Sequence, residues 1–219
     1  MAPSLPPPRW MLYGAAGYTG TLLAEEAVLR GHRPVLAGRR RERLLPLSER
    51  LGLEAVGVPL DDAAALRGAV EGCALVLHAA GPFVRTSRPM LRACLDAGAH
   101  YLDITGELPV FENTFRHHGE ALERAVTLMS GVGFDVVPTD CLALHVAERV
   151  PGARELELAF AAIDHPSAGT LKTTLESLPA GGRVRRNGVL RAWPMGQGMK
   201  RVRFSDRTRT VVAVPWADL

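Results

Sequence analysis

The sequence predicts an α/β fold in which a doubly wound parallel sheet is followed by a partial antiparallel α+β domain. Three observations lead to this prediction. Short apolar runs alternate with amphipathic helical segments from residue 10 to about residue 150. A glycine-rich turn follows the first of these runs. Beyond residue 150 the pattern changes to polar–apolar alternation around turn signals such as Asn187-Gly188.

The first half of the regular pattern contains three strand–helix units. Gly31 and Gly52 follow helical segments and are typical helix stops. Because proline cannot sit inside a helix, the second helix is expected to begin near Pro46. The side chain of either Asp61 or Asp62 can cap the third helix. The expected strands cover 10–13, 34–37 and 54–59, and the expected helices cover 19–30, 46–52 and 63–70.

The second half of the pattern contains three more strands, at 74–77, 101–103 and 127–129. The run 74–77 is apolar throughout, as expected for a parallel strand that is covered on both faces. Ser87 is expected to cap a helix that ends at Gly98. After Glu107, apolar residues recur at helical spacing as far as Ala125, which predicts one long helix.

The region after residue 150 is expected to form a smaller, antiparallel structure. Alternation over 154–160 predicts a half-exposed strand, and 170–178 is typical of a helix. Two hairpins are predicted, at 184–191 and at 202–214. About 70 residues are too few for a stable core of their own, so we expect this region to pack against another part of the protein or a partner. The expected division is a flexible proline-rich tail at 1–9, a first domain at 10–150, and a partial substrate or dimerisation domain at 151–219 that makes the protein a homo-oligomer.

Composition excludes several classes of protein. No stretch approaches the ~20 apolar residues that cross a bilayer. The amino terminus has no apolar core of a signal peptide, so a cytoplasmic location is expected. Cys73, Cys94 and Cys141 are odd in number and widely spaced, which argues against a disulfide framework or a zinc cluster. No bound metal is therefore expected.

Positive charge is concentrated near the carboxyl terminus. Residues 180–219 carry nine basic and two acidic side chains, whereas the rest of the chain carries 17 basic and 21 acidic ones. Such a patch can bind an acidic substrate or nucleic acid. Few aromatic side chains are interleaved with the arginines, so we favour the solvated faces of two hairpins and expect no nucleic-acid partner.

The strongest chemical signal is the segment Gly14-Ala-Ala-Gly17-Tyr-Thr-Gly20, between the first strand and the first helix. Gly14 and Gly17 allow a tight turn close to a pyrophosphate, and Gly20 lets the helix press on the sheet. The N–H groups at the start of the helix would then face phosphate oxygens. A purely structural glycine-rich turn is the alternative. The candidate binding residues are Gly14, Ala16, Gly17, Tyr18, Thr19 and Gly20.

The residues after the second strand indicate which dinucleotide is bound. NAD-binding proteins place an acidic residue about 20 positions beyond the glycines, where it bonds the ribose 2′-hydroxyl. Here the chain reads Gly38-Arg39-Arg40-Arg41, with no acid before Glu42. Arg39 and Arg40 can instead bind a 2′-phosphate, unless they are only a solvated basic turn. We therefore expect NADP(H), with NAD(H) the less favoured alternative.

Small residues follow the fourth strand, where a nicotinamide ribose would lie against the backbone. The segment reads His78-Ala-Ala-Gly81-Pro82-Phe83. His78 by itself is more typical of a packed strand end than of a catalyst. The candidate cofactor-binding residues here are Ala80, Gly81, Pro82 and Phe83, with Asp61 after the third strand.

These motifs, together with the segments 97–107 and 131–140, resemble the saccharopine dehydrogenase-like oxidoreductases, in the group that contains trans-acting enoyl reductases. The resemblance implies a Rossmann domain that binds NAD(P)H and a second α/β domain over the nicotinamide. Family members are longer than this chain, so the second domain is expected to be partial. The implied function is NADP(H)-dependent hydride transfer to a C=C, C=O or C=N group of a hydrophobic or carrier-bound substrate. The alternative is an NADP(H)-binding sensor or a non-catalytic dinucleotide-binding protein.

Candidate catalytic residues follow the fifth and sixth strands. Asp135, flanked by Gly133 and Pro138, is the first choice for an acid or positioning group, since it is expected in a stiff loop that by resemblance approaches the cofactor. Tyr101 and Glu107 are expected at the same edge of the sheet. Tyr101 lacks a lysine four residues on, so the Tyr/Lys pair of short-chain dehydrogenases is absent.

Overall fold

A computed structural model of the chain describes residues 8–134, 136–161, 175, 181–194 and 197–212. The chain divides into two compact units, Met1–Gly133 and Phe134–Leu219. The domain boundary near residue 150 stays a prediction. Three of the expected features lie outside the described residues, namely the first seven residues of the tail, Asp135 and nearly all of the helix at 170–178.

The first unit is built on a parallel sheet of six strands in the order β3-β2-β1-β4-β5-β6. This order is that of a Rossmann fold, and it confirms the predicted doubly wound sheet. The strands are β1 Trp10–Tyr13, β2 Val35–Gly38, β3 Ala55–Gly57, β4 Leu75–His78, β5 His100–Asp103 and β6 Leu128–Met129. The helices are α1 Tyr18–Leu29, α2 Leu45–Leu51, α3 Ala63–Val70, α4 Phe83–Ala97, α5 Leu108–Arg116 and α6 His118–Glu123.

Hydrophobic cores cover both faces of this sheet. Successive residues of a strand point to opposite faces, so Met11 and Leu12 in β1 belong to different cores, and both are fully buried. One core joins Met11 to residues of α3 and α4, among them Leu66, Leu91 and Leu95. The other joins Leu12 to residues of α1 and α2, among them Ala24 and Leu47.

Local signals fix most of the helix ends. Gly52 and Gly98 end α2 and α4 with φ of 63° and 68°, a left-handed conformation that glycine adopts without a Cβ clash. At the start of α3, the N–H of Ala65 donates to Asp62 Oδ1 at 2.9 Å. Of the two aspartates that could cap this helix, Asp62 is therefore the one that does.

Two helix predictions were wrong in the details that depend on distant residues. Helix α4 begins at Phe83, so Ser87 lies buried inside it and does not cap it. The single helix expected after Glu107 is interrupted at His117. Phe115 and Leu122 are 72% and 67% exposed, so the apolar repeat that joined the two halves does not mark one buried face.

The second unit contains helix α7 Val137–Ala147 and two hairpins, β7 Gly182–Arg186 with β8 Val189–Trp193 and β9 Lys200–Arg203 with β10 Thr208–Val211. Asn187 and Gly188 have φ of 51° and 77°, the two positive values that a type I′ turn requires. Each hairpin is a separate two-stranded sheet. The strand expected at 154–160 was wrong, because the described chain offers this segment no partner strand.

Two further observations concern the whole described chain. None of its helices combines the length and apolar character that crossing a membrane would need. All three cysteines are present as free thiols, with Cys73 and Cys94 buried and Cys141 exposed.

Candidate cofactor-binding site

The glycine-rich segment forms a turn that is closed by its own backbone. The N–H of Gly14 donates to the carbonyl of Ala37 in β2 at 2.8 Å, which ties the turn to the neighbouring strand. The N–H of Gly17 donates to the carbonyl of Gly14 at 2.9 Å. Helix α1 begins directly afterwards, where the N–H of Thr21 donates to the carbonyl of Gly17. The predicted strand–turn–helix context is therefore present.

The three glycines of the turn have different roles. Gly14 has φ +91°, and a Cβ there would lie 2.8 Å from the carbonyl carbon of Ala79 and from the nitrogen of Ala80. Its missing side chain thus makes room for the loop after β4, and not for a phosphate. A Cβ on Gly20 would lie 2.8 Å from the Cα of Ala15. At Gly17 the one heavy atom within reach of a Cβ is the carbonyl oxygen of Gly14, at 3.2 Å, so this position is open on its other sides.

The amino ends of α1 and α4 differ in what occupies them. In the described part of the chain, no side chain caps α1, and Tyr18 in its first turn is 73% exposed. The backbone N–H groups of Phe83 and Val84, which begin α4, donate to Glu107 Oε1 and Oε2 at 2.9 and 2.7 Å. A helix amino end attracts anions through its N–H groups and its dipole. Of these two helix ends, the one at α1 is therefore left without an internal anion among the described residues.

Both helix ends lie at the point where the strand order reverses. Strand β1 pairs with β2 on one side and with β4 on the other. The chain leaves β1 and β4 for helices that pack on opposite faces of the sheet. Such a switch point, at the carboxyl ends of the strands, is where open α/β sheets bind their ligands.

Exposed arginines follow β2, as predicted. Arg39 and Arg40 are both exposed, whereas Arg41 donates from Nε to the carbonyl of Ala55 at 3.3 Å. The buried phenol of Tyr13 donates to the carbonyl of Val58 at 2.9 Å.

Two predicted site residues, Arg39 and Asp61, act on the Tyr13 phenol in opposite directions. Burial raises the pKa of Tyr13 to about 12, while the charge of Arg39 opposes this shift and the charge of Asp61 adds to it.

Hydrogen bonds fix the loop between β4 and α4, which contains Ala80, Gly81 and Pro82. The hydroxyl of Thr86 donates to the carbonyl of Ala80 at 2.6 Å. Its hydrogen is then used, so His78 Nε2, 3.0 Å from the same oxygen, must be the donor to it. Among the described residues the other ring nitrogen of His78 has no partner. Burial lowers the pKa of His78 to about 3, so the ring stays neutral, as expected for a packed histidine.

Asp103, at the end of β5, accepts four hydrogen bonds while fully buried. Its Oδ1 accepts from the backbone N–H groups of Thr105 and Gly131, both at 3.0 Å. Its Oδ2 accepts from the hydroxyls of Tyr101 at 2.7 Å and Ser130 at 2.8 Å. Burial raises the pKa of the Asp103 carboxyl, and these hydrogen bonds oppose the increase. This aspartate therefore ties together two loops at the carboxyl edge of the sheet.

Two of the three candidate catalytic residues, Tyr101 and Glu107, use their polar groups within the fold. Tyr101 is fully buried and bonded to Asp103, and Glu107 binds the amino end of α4. Asp135 lies outside the described residues. The catalytic role of all three stays a prediction. Sequence reasoning missed the roles of Thr86 and Ser130, because their partners are set by the tertiary fold. The spacing of Tyr101 and Asp103 on one strand face was the one local signal.

Comparison with known proteins adds a family match. Residues 10–129 match a family model described as the saccharopine dehydrogenase NADP binding domain. A trans-acting enoyl reductase of Mycobacterium leprae is 36% identical over 156 residues, which cover 68% of this chain and 37% of that protein. One of Mycobacterium tuberculosis is 36% identical over 138 residues, which cover 59% of this chain and 33% of that protein. The chain thus spans about a third of the length of the curated relatives it matches.

A solved structure supports the fold. Apo saccharopine dehydrogenase (L-Glu forming) from Saccharomyces cerevisiae superimposes with a TM-score of 0.54 at 14% sequence identity. The match covers 65% of this chain and 31% of the yeast chain. At this identity the likeness concerns the fold alone, and it agrees with the observed strand order.

Replacing Asp103 by asparagine is expected to destabilise the protein by about 1–3 kcal/mol, because an amide cannot accept both hydroxyl hydrogen bonds at the position of Oδ2. The raised pKa also predicts the direction of the pH dependence. The Asp103 carboxyl holds its proton more tightly in the folded state than in the unfolded state. The stability that this difference adds is therefore fully present below the ordinary aspartate pKa of 3.8, and it is lost as the pH rises through the raised pKa of the folded state. Denaturant unfolding between pH 3 and pH 7 measures both effects.

The matched control is Asp96→Asn, since Asp96 is partly exposed and pairs with Arg92 on the surface. This substitution is expected to lower the free energy of unfolding by less than about 1 kcal/mol. If the advantage of the wild type over Asp103→Asn instead grows with rising pH, the pKa of Asp103 is lowered and the assigned cause is wrong.

Proposed function

Because the chain belongs to the saccharopine dehydrogenase NADP-binding domain family, we propose that it binds NADP(H) at the switch point between β1 and β4 and serves as the cofactor-binding part of an oxidoreductase. The family match confirms the resemblance drawn from the motifs. It also confirms NADP as the cofactor predicted from the basic turn after β2.

One observation carries the proposed binding mode. The turn that leads into the uncapped amino end of α1 packs against the loop after β4, since a Cβ on Gly14 would lie 2.8 Å from the backbone of Ala79 and Ala80. A pyrophosphate at the N–H groups of Tyr18, Thr19 and Gly20 would therefore lie next to that loop. The positive helix end favours the phosphate charge. Ala16 and Gly17 complete the turn on which the pyrophosphate would rest.

The adenosine end of the cofactor would lie beyond β2. Arg39 and Arg40 are exposed there and can bind the 2′-phosphate through charge-assisted hydrogen bonds. Arg41 is less suited, because its Nε already bonds the carbonyl of Ala55. We place Asp61, which follows β3, at the same end of the cofactor.

The nicotinamide end would lie against Ala80, Gly81 and Pro82, with Phe83 behind them. Small side chains and a loop backbone fixed by Thr86 offer the ring a rigid, close surface. The cofactor, when bound, supplies the hydride. The acceptor in our proposal is a C=C, C=O or C=N group of a hydrophobic or carrier-bound substrate, in keeping with relatives named trans-acting enoyl reductases. Asp135 remains the proposed acid.

A second candidate function is binding of NADP(H) without chemistry, as in a sensor. One observation favours it: Tyr101 and Glu107 both use their polar groups within the fold. NADPH oxidation with a panel of enoyl, carbonyl and imine acceptors separates the two. Turnover of any acceptor supports the oxidoreductase, whereas tight NADPH binding with no turnover across the panel supports the sensor.

Assembly and location are part of the same proposal. The hairpins β7–β8 and β9–β10 are each two-stranded, and two-stranded sheets are marginally stable in isolation. We place a homo-oligomeric contact in this carboxyl-terminal region, within the domain expected at 151–219. The cytoplasm, which supplies NADPH, is the proposed site of action.

Gly17→Val should weaken NADPH binding by about 10-fold or more and leave the fold intact, because the added side chain fills the open side of the turn. Gly14→Val should instead destabilise the fold, since its Cβ meets the backbone after β4. Fluorescence titration and thermal unfolding measure the two effects separately. Gly68→Ala, at a helix position with nothing within 4 Å, is the control. Unchanged NADPH affinity in Gly17→Val would remove the assignment.

Replacing both Arg39 and Arg40 by alanine should weaken NADPH binding by about 2–4 kcal/mol, because charge-assisted contacts to the 2′-phosphate are lost. NADH binding should change little. Calorimetric titration of both cofactors makes the comparison, with Arg30→Ala as a control, because Arg30 pairs with Glu26 on the surface of α1. An equal loss for NADPH and NADH contradicts the assignment.

A further inference from the structure

Glu107 occupies the amino end of α4 with both of its carboxylate oxygens. Oε1 accepts from the N–H of Phe83 at 2.9 Å, and Oε2 accepts from the N–H of Val84 at 2.7 Å. The carboxylate comes from the segment after β5, more than 20 residues further along the chain. It fills the place that a phosphate takes when it binds a helix end, and its charge is stabilised there for the same reason.

The position of Glu107 is set by the buried Asp103. The N–H of Glu107 donates to Thr105 Oγ1 at 3.0 Å. The N–H of Thr105 in turn donates to Asp103 Oδ1 at 3.0 Å. A fully buried, fourfold-bonded carboxylate therefore fixes the backbone from which the Glu107 side chain extends. Glu107 is thus directed at α4 by the core of the protein.

The first turn of α4, which Glu107 binds, adjoins the backbone of Ala80, Gly81 and Pro82. We call these three residues the nicotinamide wall, because the nicotinamide would lie against them. Pro82 immediately precedes Phe83, and Thr86, one turn into α4, bonds the carbonyl of Ala80. The backbone of Ala80 also packs against Gly14, in the glycine-rich turn of residues 14–20, which we call the phosphate turn. Movement of the first turn of α4 would therefore move the wall relative to the phosphate turn.

We propose that Glu107 is a positioning residue, whose carboxylate is the permanent internal anion of α4. It leaves the end of α1 as the pyrophosphate site and holds the Ala80–Pro82 wall at the spacing that the cofactor needs. This role differs from the catalytic one for which the sequence made Glu107 a candidate. The inference rests on the proposed NADP(H) site.

Chemical rescue tests this role. Glu107→Ala removes the anion and leaves two N–H donors at a positive helix end, so NADPH affinity should fall by about 10-fold. Formate, at constant ionic strength, should re-enter this position and restore most of the affinity. It should also raise the unfolding temperature of the variant without affecting the wild type. A role in apolar packing alone would not respond to a small carboxylate.

Glu112→Ala is the matched control, because Glu112 is an exposed glutamate in α5 that pairs only loosely with Arg116, at 3.7 Å. It should bind NADPH as the wild type does and show no response to formate. If Glu107→Ala fails to fold, Glu107→Gln takes its place, since it keeps one acceptor oxygen and loses the charge. Its NADPH affinity should be measurably lower than that of the wild type.

Two results overturn the inference. One is that the folded Glu107→Ala or Glu107→Gln protein binds NADPH with the affinity of the wild type. The other is that Glu107→Ala loses NADPH affinity and formate does not restore it. Failure of the wild type itself to bind NADPH is a separate outcome. It is seen before any variant is compared, and it overturns the proposed function together with the inference built on it.

Discussion

The arrangement of the carboxyl edge of the sheet depends on one buried carboxylate, that of Asp103. Burying a charged group costs several kcal/mol unless hydrogen bonds replace the lost water. Asp103 receives four such bonds, from Tyr101 on its own strand, Thr105 in the following segment, and Ser130 and Gly131 after β6. Because each donor must be in place for the carboxylate to be tolerated, the group fixes two loops at once.

From this point a chain of hydrogen bonds runs across the edge toward the proposed cofactor site. Asp103 holds Thr105, Thr105 holds Glu107, and Glu107 holds the first turn of α4. Thr86 of α4, to which His78 of β4 donates, fixes the loop after β4, and Gly14 packs against this loop from the glycine-rich turn. The backbone of this edge is thus held by hydrogen bonds within the protein, and a backbone that is already ordered lowers the entropic cost of binding a ligand.

The polar groups of this edge divide into those used by the fold and those left for a ligand. Tyr101, Glu107 and Arg41 are bonded within the protein. The N–H groups that begin α1 are uncapped, and Arg39 and Arg40 are exposed, in the described part of the chain. The second set matches the anionic parts of NADP(H), the pyrophosphate and the 2′-phosphate. This division supports the proposal that the described chain chiefly binds and orients the cofactor.

The sequence by itself determined the features that depend on neighbouring residues. The positions of the six strands, the glycine-rich turn, the helix ends at Gly52 and Gly98 and the turn at Asn187-Gly188 follow from residue patterns within a few positions. The sequence also predicted a cap at Asp61 or Asp62, and the structure selected Asp62. Tertiary structure alone decided where α4 begins, why the helix after Glu107 is interrupted, and that 154–160 is not a strand. It also decided that Tyr101 and Glu107 bond within the fold. The physical reason is that a hydrogen bond or a buried surface needs a partner, and these partners lie on other elements, which only the folded chain brings within reach.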